Sequence, residues 1–138
     1  MLIAVNAGNS RVLLGGYEED GQVFSASIAT EPKLTRDDYA CKLQQVLLLY
    51  GVNVRRIHGG IVSSVVPSMV GVLEGALRLL GIRDVIEVSS GVKTGLNIRS
   101  EQPRQVGSDR VAAAVAARAK GKLPCVAVTL GTATTFTA

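Results

Sequence analysis

The sequence is poor in aromatic residues, cysteine and histidine, and each shortage argues against a class of function. Aromatic residues make up 4% of the 138 residues, so a nucleic-acid surface that stacks bases on aromatic rings is not expected. The two cysteines, Cys41 and Cys125, form no CxxC pair and His58 is the single histidine. A zinc site or a disulfide framework is therefore not expected. We expect instead that both cysteines are buried thiols in a reducing compartment.

Long apolar runs and a concentrated charge are also missing. No run approaches the ~20 residues of a membrane-spanning helix, and no basic, signal-like segment precedes the first strand pattern. Lys and Arg number 15 and Asp and Glu number 11, which gives a net charge of +4 that is scattered along the chain. Hydrophobic residues make up 47% and charged residues 19%, a globular composition. We therefore expect a globular, cytoplasmic protein that binds neither membranes nor nucleic acid.

The chain contains a regular succession of strand and helix patterns. Three strand-like runs separated by short polar turns predict an antiparallel meander: Leu2–Val5, Arg11–Tyr17 and Gln22–Ala29. Apolar residues at spacings of three and four then predict helices after the capping residue Thr35, from Pro67, and from Ser108 to about Lys120, the last capped by Ser108. Further strands are predicted at Gly60–Val66, Val85–Val88 and Cys125–Leu130.

This order of elements predicts an α/β fold, with a mixed five-stranded sheet that begins with a β-meander and has flanking helices. The strand at Cys125–Leu130 follows as a lone strand with half a hairpin, and we expect it to lack the sheet that it should join.

The common phosphate-binding and nucleophile motifs GxxxxGK[ST], GxGxxG and GxSxG are absent. Three other segments combine glycine with polar residues at the end of a strand or the start of a helix: Gly8-Asn9-Ser10, Gly131-Thr132-Ala133-Thr134-Thr135 and Gly107-Ser108-Asp109-Arg110. Small turn residues expose backbone N–H groups that can cradle a phosphate. A carboxylate beside an arginine at a helix start can act as a base near an anion. Taken singly, the first segment is better explained as a hairpin turn and the third as a helix cap. Two glycine turns that each follow a strand are a stronger signal than one.

Five segments in order along the chain resemble the N-terminal half of a type III pantothenate kinase, of the acetate and sugar kinase/Hsp70/actin superfamily. They are Ala7–Ser10, Ile61–Pro67, Lys93–Ile98, Pro103 with Val106–Arg110, and Gly131–Thr135. The resemblance implies a ribonuclease-H-like, actin-like ATPase domain over residues 1–124, and residues 125–138 as the first strand of a second, truncated domain of this kind. It also implies ATP-dependent phosphorylation of pantothenate, the first step of coenzyme A biosynthesis, with Mg²⁺ and a monovalent cation such as K⁺.

Site residues follow from the same resemblance, position by position. Asp109 is implied as the catalytic base, and Gly107, Ser108, Arg110 and Ser100 as pantothenate-binding positions. Two hairpins are implied as phosphate-binding: Gly8, Asn9 and Ser10 in the first, Gly131, Thr132 and Thr134 in the second.

At three positions that matter for the family's activity, this chain carries a different residue. Asn6 and Thr129 stand where the family has aspartates tied to the metal and cation sites, and Ser100 stands where it has a tyrosine. An amide or a hydroxyl lacks the charge that Mg²⁺ favours, so we expect a weak or absent ATP/Mg²⁺ site. The family's chains are also roughly twice this length.

Three hypotheses follow from these departures. The chain is a subunit of a hetero-oligomeric pantothenate kinase, active only with a homologous partner chain, and the intact acceptor side favours this first hypothesis. Alternatively, it is a catalytically inactive regulatory or binding homologue, self-associated as a homodimer. A piece of a longer protein is the third possibility.

Overall fold

The structure is a computed structural model that describes residues 1–89, 91–102, 105–121, 123–130 and 134–138. The chain divides into two compact units, Met1–Glu87 and Val88–Ala138. Each unit is described by itself below. Within the described ranges, no helix has both the length and the apolar character needed to cross a membrane.

The larger unit is built on one mixed five-stranded sheet. Its strands are β1 (Leu2–Ala7), β2 (Arg11–Glu18), β3 (Gly21–Ala29), β4 (Gly59–Ser64) and β5 (Val85–Glu87). They lie in the order β3-β2-β1-β4-β5. The meander β1-β2-β3 is antiparallel, whereas β4 pairs parallel with both β1 and β5. The predicted meander and mixed five-stranded sheet are confirmed.

Helices α1 (Arg36–Leu49) and α2 (Pro67–Leu79) form the long connections of this unit. Thr35 caps α1 through a complete capping box, in which the Asp38 carboxylate accepts hydrogen bonds from the Thr35 hydroxyl and backbone N–H. These bonds lower the pKa of the Asp38 carboxyl below its ordinary value of 3.8. The capping box therefore stabilises the fold above that pH, and its contribution is lost as the pH falls through the lowered pKa.

The core of the larger unit lies on one face of the sheet. Along β1, the buried residues Ile3, Val5 and Ala7 alternate with more exposed neighbours, as the two-residue period of a strand requires. They pack into one cluster with the inward residues of both helices, among them Leu43 of α1 and Leu73 of α2. Asn6 belongs to the other set of β1 side chains, a position that matters for the site below.

The smaller unit contains α3 (Ser108–Lys120) and the strands β6 (Ala127–Leu130) and β7 (Thr134–Thr137). β6 and β7 pair antiparallel, with Leu130 opposite Thr134 and Ala127 opposite Thr137, and α3 contacts both strands. The prediction of a lone strand with half a hairpin was therefore wrong. The last residues are rich in threonine with one phenylalanine, types that fit a pleated surface well, and they suffice for a short return strand.

The cysteine prediction was also wrong in one respect. Cys41 is exposed on α1, while Cys125 is half-buried. The ribonuclease-H-like fold and the division at residue 124 stay predictions.

Two leucines, one buried and one exposed, test the placement of the core. Leu73 is 0% exposed and Leu49 is 83% exposed. We expect Leu73→Ala to lower the free energy of unfolding by about 2–5 kcal/mol, because it leaves a cavity in the core. Leu49→Ala is the control and should change it by less than about 0.5 kcal/mol. Urea denaturation measures both; equal effects would contradict the placement of the core.

Candidate functional site

The first predicted phosphate segment forms the turn between β1 and β2. The Gly8 N–H donates to the Arg11 carbonyl at 2.9 Å. Thr30 fixes the turn from β3: its hydroxyl donates to the Gly8 carbonyl at 2.8 Å and its N–H donates to the Ser10 carbonyl at 3.0 Å. Asn9 and Ser10 are exposed at the tip. The turn is thus held from below while its tip faces solvent, an arrangement that can present backbone N–H groups to an anion.

Asn6 lies one residue before the end of β1, between Leu13 of β2 and Ser63 of β4 in the register. Its Oδ1 atom is buried and has no hydrogen-bond partner in the described part of the chain. A buried carbonyl oxygen without a partner is costly. Such an atom suits a hydrogen-bond donor or a cation, but it brings no negative charge.

The acceptor segment begins α3. The N-cap is Gly107, not Ser108 as predicted. The Gly107 carbonyl accepts from the N–H groups of Arg110 and Val111 at 3.1 and 3.2 Å, so Ser108 is already the first residue of the helix. Asp109 lies in the first turn, as predicted, where a helix N-terminus stabilises negative charge.

The Asp109 carboxylate lies close to Gly107. A Cβ atom placed on Gly107 would fall 2.5 Å from Asp109 Oδ1. That separation is far below van der Waals contact, so any larger residue at position 107 would have to displace the carboxylate. Gly107 therefore leaves the space that the Asp109 carboxylate occupies, which gives it a role independent of any ligand.

Arg110 joins the start of α3 to β7. Its guanidinium donates from Nη2 to the Phe136 carbonyl at 3.1 Å and from Nε to the Thr137 hydroxyl at 3.4 Å. Arg110 also lines a cavity of about 390 Å³. The structure thus brings Arg110 and Ser100, two predicted pantothenate-binding residues, to one cavity.

The cavity is contained within the smaller unit. The lining residues are Leu96, Asn97, Ile98, Arg99, Ser100, Val106, Arg110, Val111, Ala114, Thr137 and Ala138. Two of them carry a guanidinium and none of these described residues has a carboxylate side chain, which favours a small ligand with a negative group. Arg99 was not predicted as a site residue, because its position next to Ser100 is the only signal for it in the sequence. Asp109 does not line the cavity.

The second predicted phosphate hairpin is described in part. Gly131 and Thr132 lie outside the described residues, and Thr134 is exposed at the start of β7. Thr129 is exposed on β6 and lies opposite Thr135. The Thr135 hydroxyl is buried without a partner among the described residues. Sequence reasoning did not include Thr135 among the site residues.

The ions implied by the resemblance can be compared with these side chains. Mg²⁺ is usually held by one or two carboxylates together with substrate phosphates. Asn6 offers a neutral amide oxygen and Thr129 an exposed hydroxyl. In the ranges that the structure describes, no group of three or more His, Cys, Asp or Glu side chains could hold a metal ion. The two positions therefore do not fit a magnesium site built on protein carboxylates.

These observations define a class: an α/β protein with a mixed sheet, polar turns at strand ends, and an arginine-lined cavity beside a helix that begins Gly-Ser-Asp-Arg. The family model for type III pantothenate kinase matches residues 2–138. The chain belongs to the type III pantothenate kinase family, and the resemblance stated from the sequence is confirmed.

Individual relatives agree with the family match. The chain is 40% identical over 136 residues to the type III pantothenate kinase of Syntrophotalea carbinolica. It is 37% identical over 137 residues to those of Geobacter sulfurreducens and Geotalea daltonii. Each comparison covers 99% of this chain but 53% of the relative. The chain therefore spans about half the length of the curated relatives it matches.

The contact between Gly107 and Asp109 generates a prediction. Gly107→Ala should move the Asp109 carboxylate, because the added methyl group occupies its place, and the Asp109 side-chain carboxyl ¹³C resonance should shift. Gly91→Ala is the control in the same unit, since a Cβ there has its nearest neighbour at 3.8 Å. An Asp109 resonance that moves no more in Gly107→Ala than in Gly91→Ala would contradict the contact.

Proposed function

We propose that this chain is a component of a type III pantothenate kinase-like enzyme, which transfers the γ-phosphoryl group of ATP to the primary hydroxyl of pantothenate. We further propose that turnover needs a second, homologous chain. The observation that carries the proposal is the combination of the family match over residues 2–138 with an arginine-lined cavity at the start of α3.

The acceptor side supplies the chemical argument. Pantothenate carries one carboxylate, and a guanidinium binds a carboxylate through paired N–H groups. In the proposal, Arg110 holds that carboxylate and Asp109 accepts the proton of the attacking hydroxyl. The hydroxyl oxygen then bonds to the γ-phosphorus as its bond to the bridging oxygen breaks and ADP leaves. Such transfer depends mainly on positioning and charge stabilisation, which suits a half-buried aspartate that is followed in sequence by an arginine held by hydrogen bonds.

Ser100 stands where the family has a tyrosine, and this difference bears on which acceptor the cavity can bind. A serine hydroxyl can donate and accept hydrogen bonds, but it fills less space than the tyrosine that the family carries there. The cavity of about 390 Å³ lies within the range of small-molecule sites. We therefore keep pantothenate as the proposed acceptor, with Asn97 and Arg99 as further polar groups that face it.

The nucleotide side is the weaker part of the proposed site. The turn Gly8–Ser10 is well held and its tip is exposed, so it remains the proposed first phosphate contact, with Thr134 from the second hairpin. Asn6 and Thr129 supply no charge. We propose ATP as the phosphoryl donor and treat Mg²⁺ and K⁺ as ions implied by the family, without assigning either a ligand in this chain.

The asymmetry of the departures supports a partner chain. The carboxylates are missing from the nucleotide side, at Asn6 and Thr129, while Asp109 and Arg110 are kept. The second candidate function is a regulatory or binding homologue without phosphotransfer, which the neutral Asn6 favours. Purification from the native source followed by mass determination separates the two. A family-like second chain supports the enzyme component, whereas a lone homodimer supports the regulator, and one longer chain would show that these residues are part of a larger protein.

The isolated 138-residue chain should show little ATP-dependent phosphorylation of pantothenate, because Asn6 and Thr129 lack the charge that helps hold the nucleotide and its metal. A coupled assay of ADP release with pantothenate measures this. A full-length relative such as the Geobacter sulfurreducens enzyme serves as the positive control. Robust turnover by the isolated chain would overturn both the partner requirement and the inactive alternative.

Asp109→Asn should abolish turnover by the reconstituted complex, because an amide cannot accept the hydroxyl proton, and should leave assembly unchanged. The expected loss is on the order of 10²–10⁴-fold, the usual contribution of a general base. Turnover and size-exclusion elution are measured on the same preparation. Asp84→Asn, at an exposed aspartate of the larger unit, is the matched control. Full activity of Asp109→Asn would leave Asp109 with a structural role at the helix start.

A further inference from the structure

Residues 91–102 belong to no helix or strand in the described part of the chain, and five of them form one wall of the cavity. Leu96, Asn97, Ile98, Arg99 and Ser100 all line it. A wall of this kind has no hydrogen-bond ladder to hold it. The position of this wall relative to α3 therefore depends on individual contacts.

The hydrogen bonds described within this segment are mostly local. The Thr94 N–H donates to the Val92 carbonyl at 2.8 Å and the Leu96 N–H donates to the Thr94 hydroxyl at 3.3 Å. One bond of a different kind reaches α3: Arg118 donates from Nη1 to the Gly95 carbonyl at 2.7 Å. It is a short bond from a charged donor, the stronger class of hydrogen bond in proteins.

Gly95 is suited to this bond in two ways. Its φ is +73°, a conformation that residues with a Cβ rarely adopt. A Cβ at this position would also lie 2.8 Å from Arg118 Nη1. Glycine thus allows both the turn of the backbone and the close approach of the guanidinium, and the next residue, Leu96, is the first that lines the cavity.

Arg118 does not line this cavity itself. It borders a second cavity of about 500 Å³, together with Leu96, Ala114 and Ala117. Leu96 and Ala114 line both cavities. Leu96 therefore borders both cavities, and Arg118 lines the one that Arg110 does not.

We propose that Arg118 is a positioning residue for the acceptor cavity: by holding the Gly95 carbonyl, it fixes residues 95–100 at the distance from α3 that a small carboxylate ligand requires. The proposal rests on the proposed function in taking pantothenate as that ligand. Arg118 acts through the wall and makes no contact with the ligand.

The test compares Arg118→Ala with Lys120→Ala by nuclear magnetic resonance of the ¹⁵N-labelled chain. Both variants remove one positive charge from the last turn of α3, but only Arg118 bonds to Gly95 among the described contacts. In Arg118→Ala we expect the backbone order parameters of residues 95–100 to fall from about 0.85 towards 0.6, the range of flexible segments. Lys120→Ala should leave them unchanged.

Titration with pantothenate on the same samples supplies the second readout. The dissociation constant should rise about tenfold in Arg118→Ala, as for the loss of a hydrogen bond from a charged group. It should stay at the wild-type value in Lys120→Ala. A role in overall stability alone would weaken the whole fold, so urea denaturation is measured in parallel, and the midpoint should move little.

The order parameters test the positioning role of Arg118, and the pantothenate titration of the wild-type chain tests the proposed acceptor. Unchanged order parameters in Arg118→Ala would overturn the positioning role, whatever the chain binds. The same holds if order is lost but pantothenate affinity is not. Wild-type chain that binds no pantothenate would overturn the acceptor assignment in the proposed function. In that case the order parameters alone decide whether Arg118 holds the wall.

Discussion

The parallel pairing of β1 with β4 is the constraint on which the larger unit depends. A parallel neighbour cannot follow through a tight turn, so the two strands must be joined by a long connection, which here contains β2, β3 and α1. The same register places Asn6 beside Ser63 and brings the carboxyl ends of both strands to one edge. The turn Gly8–Ser10 follows β1 at that edge. The position of the proposed phosphate contact is therefore a consequence of sheet topology rather than of the turn residues alone.

The smaller unit depends on a few directed contacts instead of an extensive core. Val111 is its one hydrophobic side chain that is buried among the described residues, and Arg110 and Arg118 supply hydrogen bonds from two ends of α3. Both arginines donate to backbone carbonyls of segments that line the cavity. Hydrogen bonds from charged side chains thus hold segments of the smaller unit together, whereas apolar packing does so in the larger unit. These bonds lie beside the proposed acceptor site.

Much of the larger unit could be predicted from its sequence because its signals are periodic and local. The capping box at Thr35, proline at the start of α2 and glycine after each helix all have a direct physical reading, and the structure agrees with each. The β6–β7 hairpin was missed because its return strand, Thr134–Thr137, is too short to show a period.

The sequence could predict which residues belong to the candidate site, but not which contacts those residues make. The resemblance supplied Asp109 and Arg110, but no pattern in the sequence indicated that the Asp109 carboxylate would lie against Gly107. Nor could spacing reveal that Arg118 reaches Gly95 across 23 residues, because such contacts depend on how an irregular segment folds back on a helix.

The bonds from Arg110 to β7 have a consequence for how this protein can be divided. A boundary at residue 124 follows the expected limit of the first domain, yet Phe136 and Thr137, which hold the Arg110 guanidinium, lie beyond it. A version of the chain cut there would keep every residue of Gly107–Arg110 and lose the strand against which the arginine is oriented. The hairpin and the helix that precedes it therefore form one structural unit, and Arg110 keeps this orientation only where both are present.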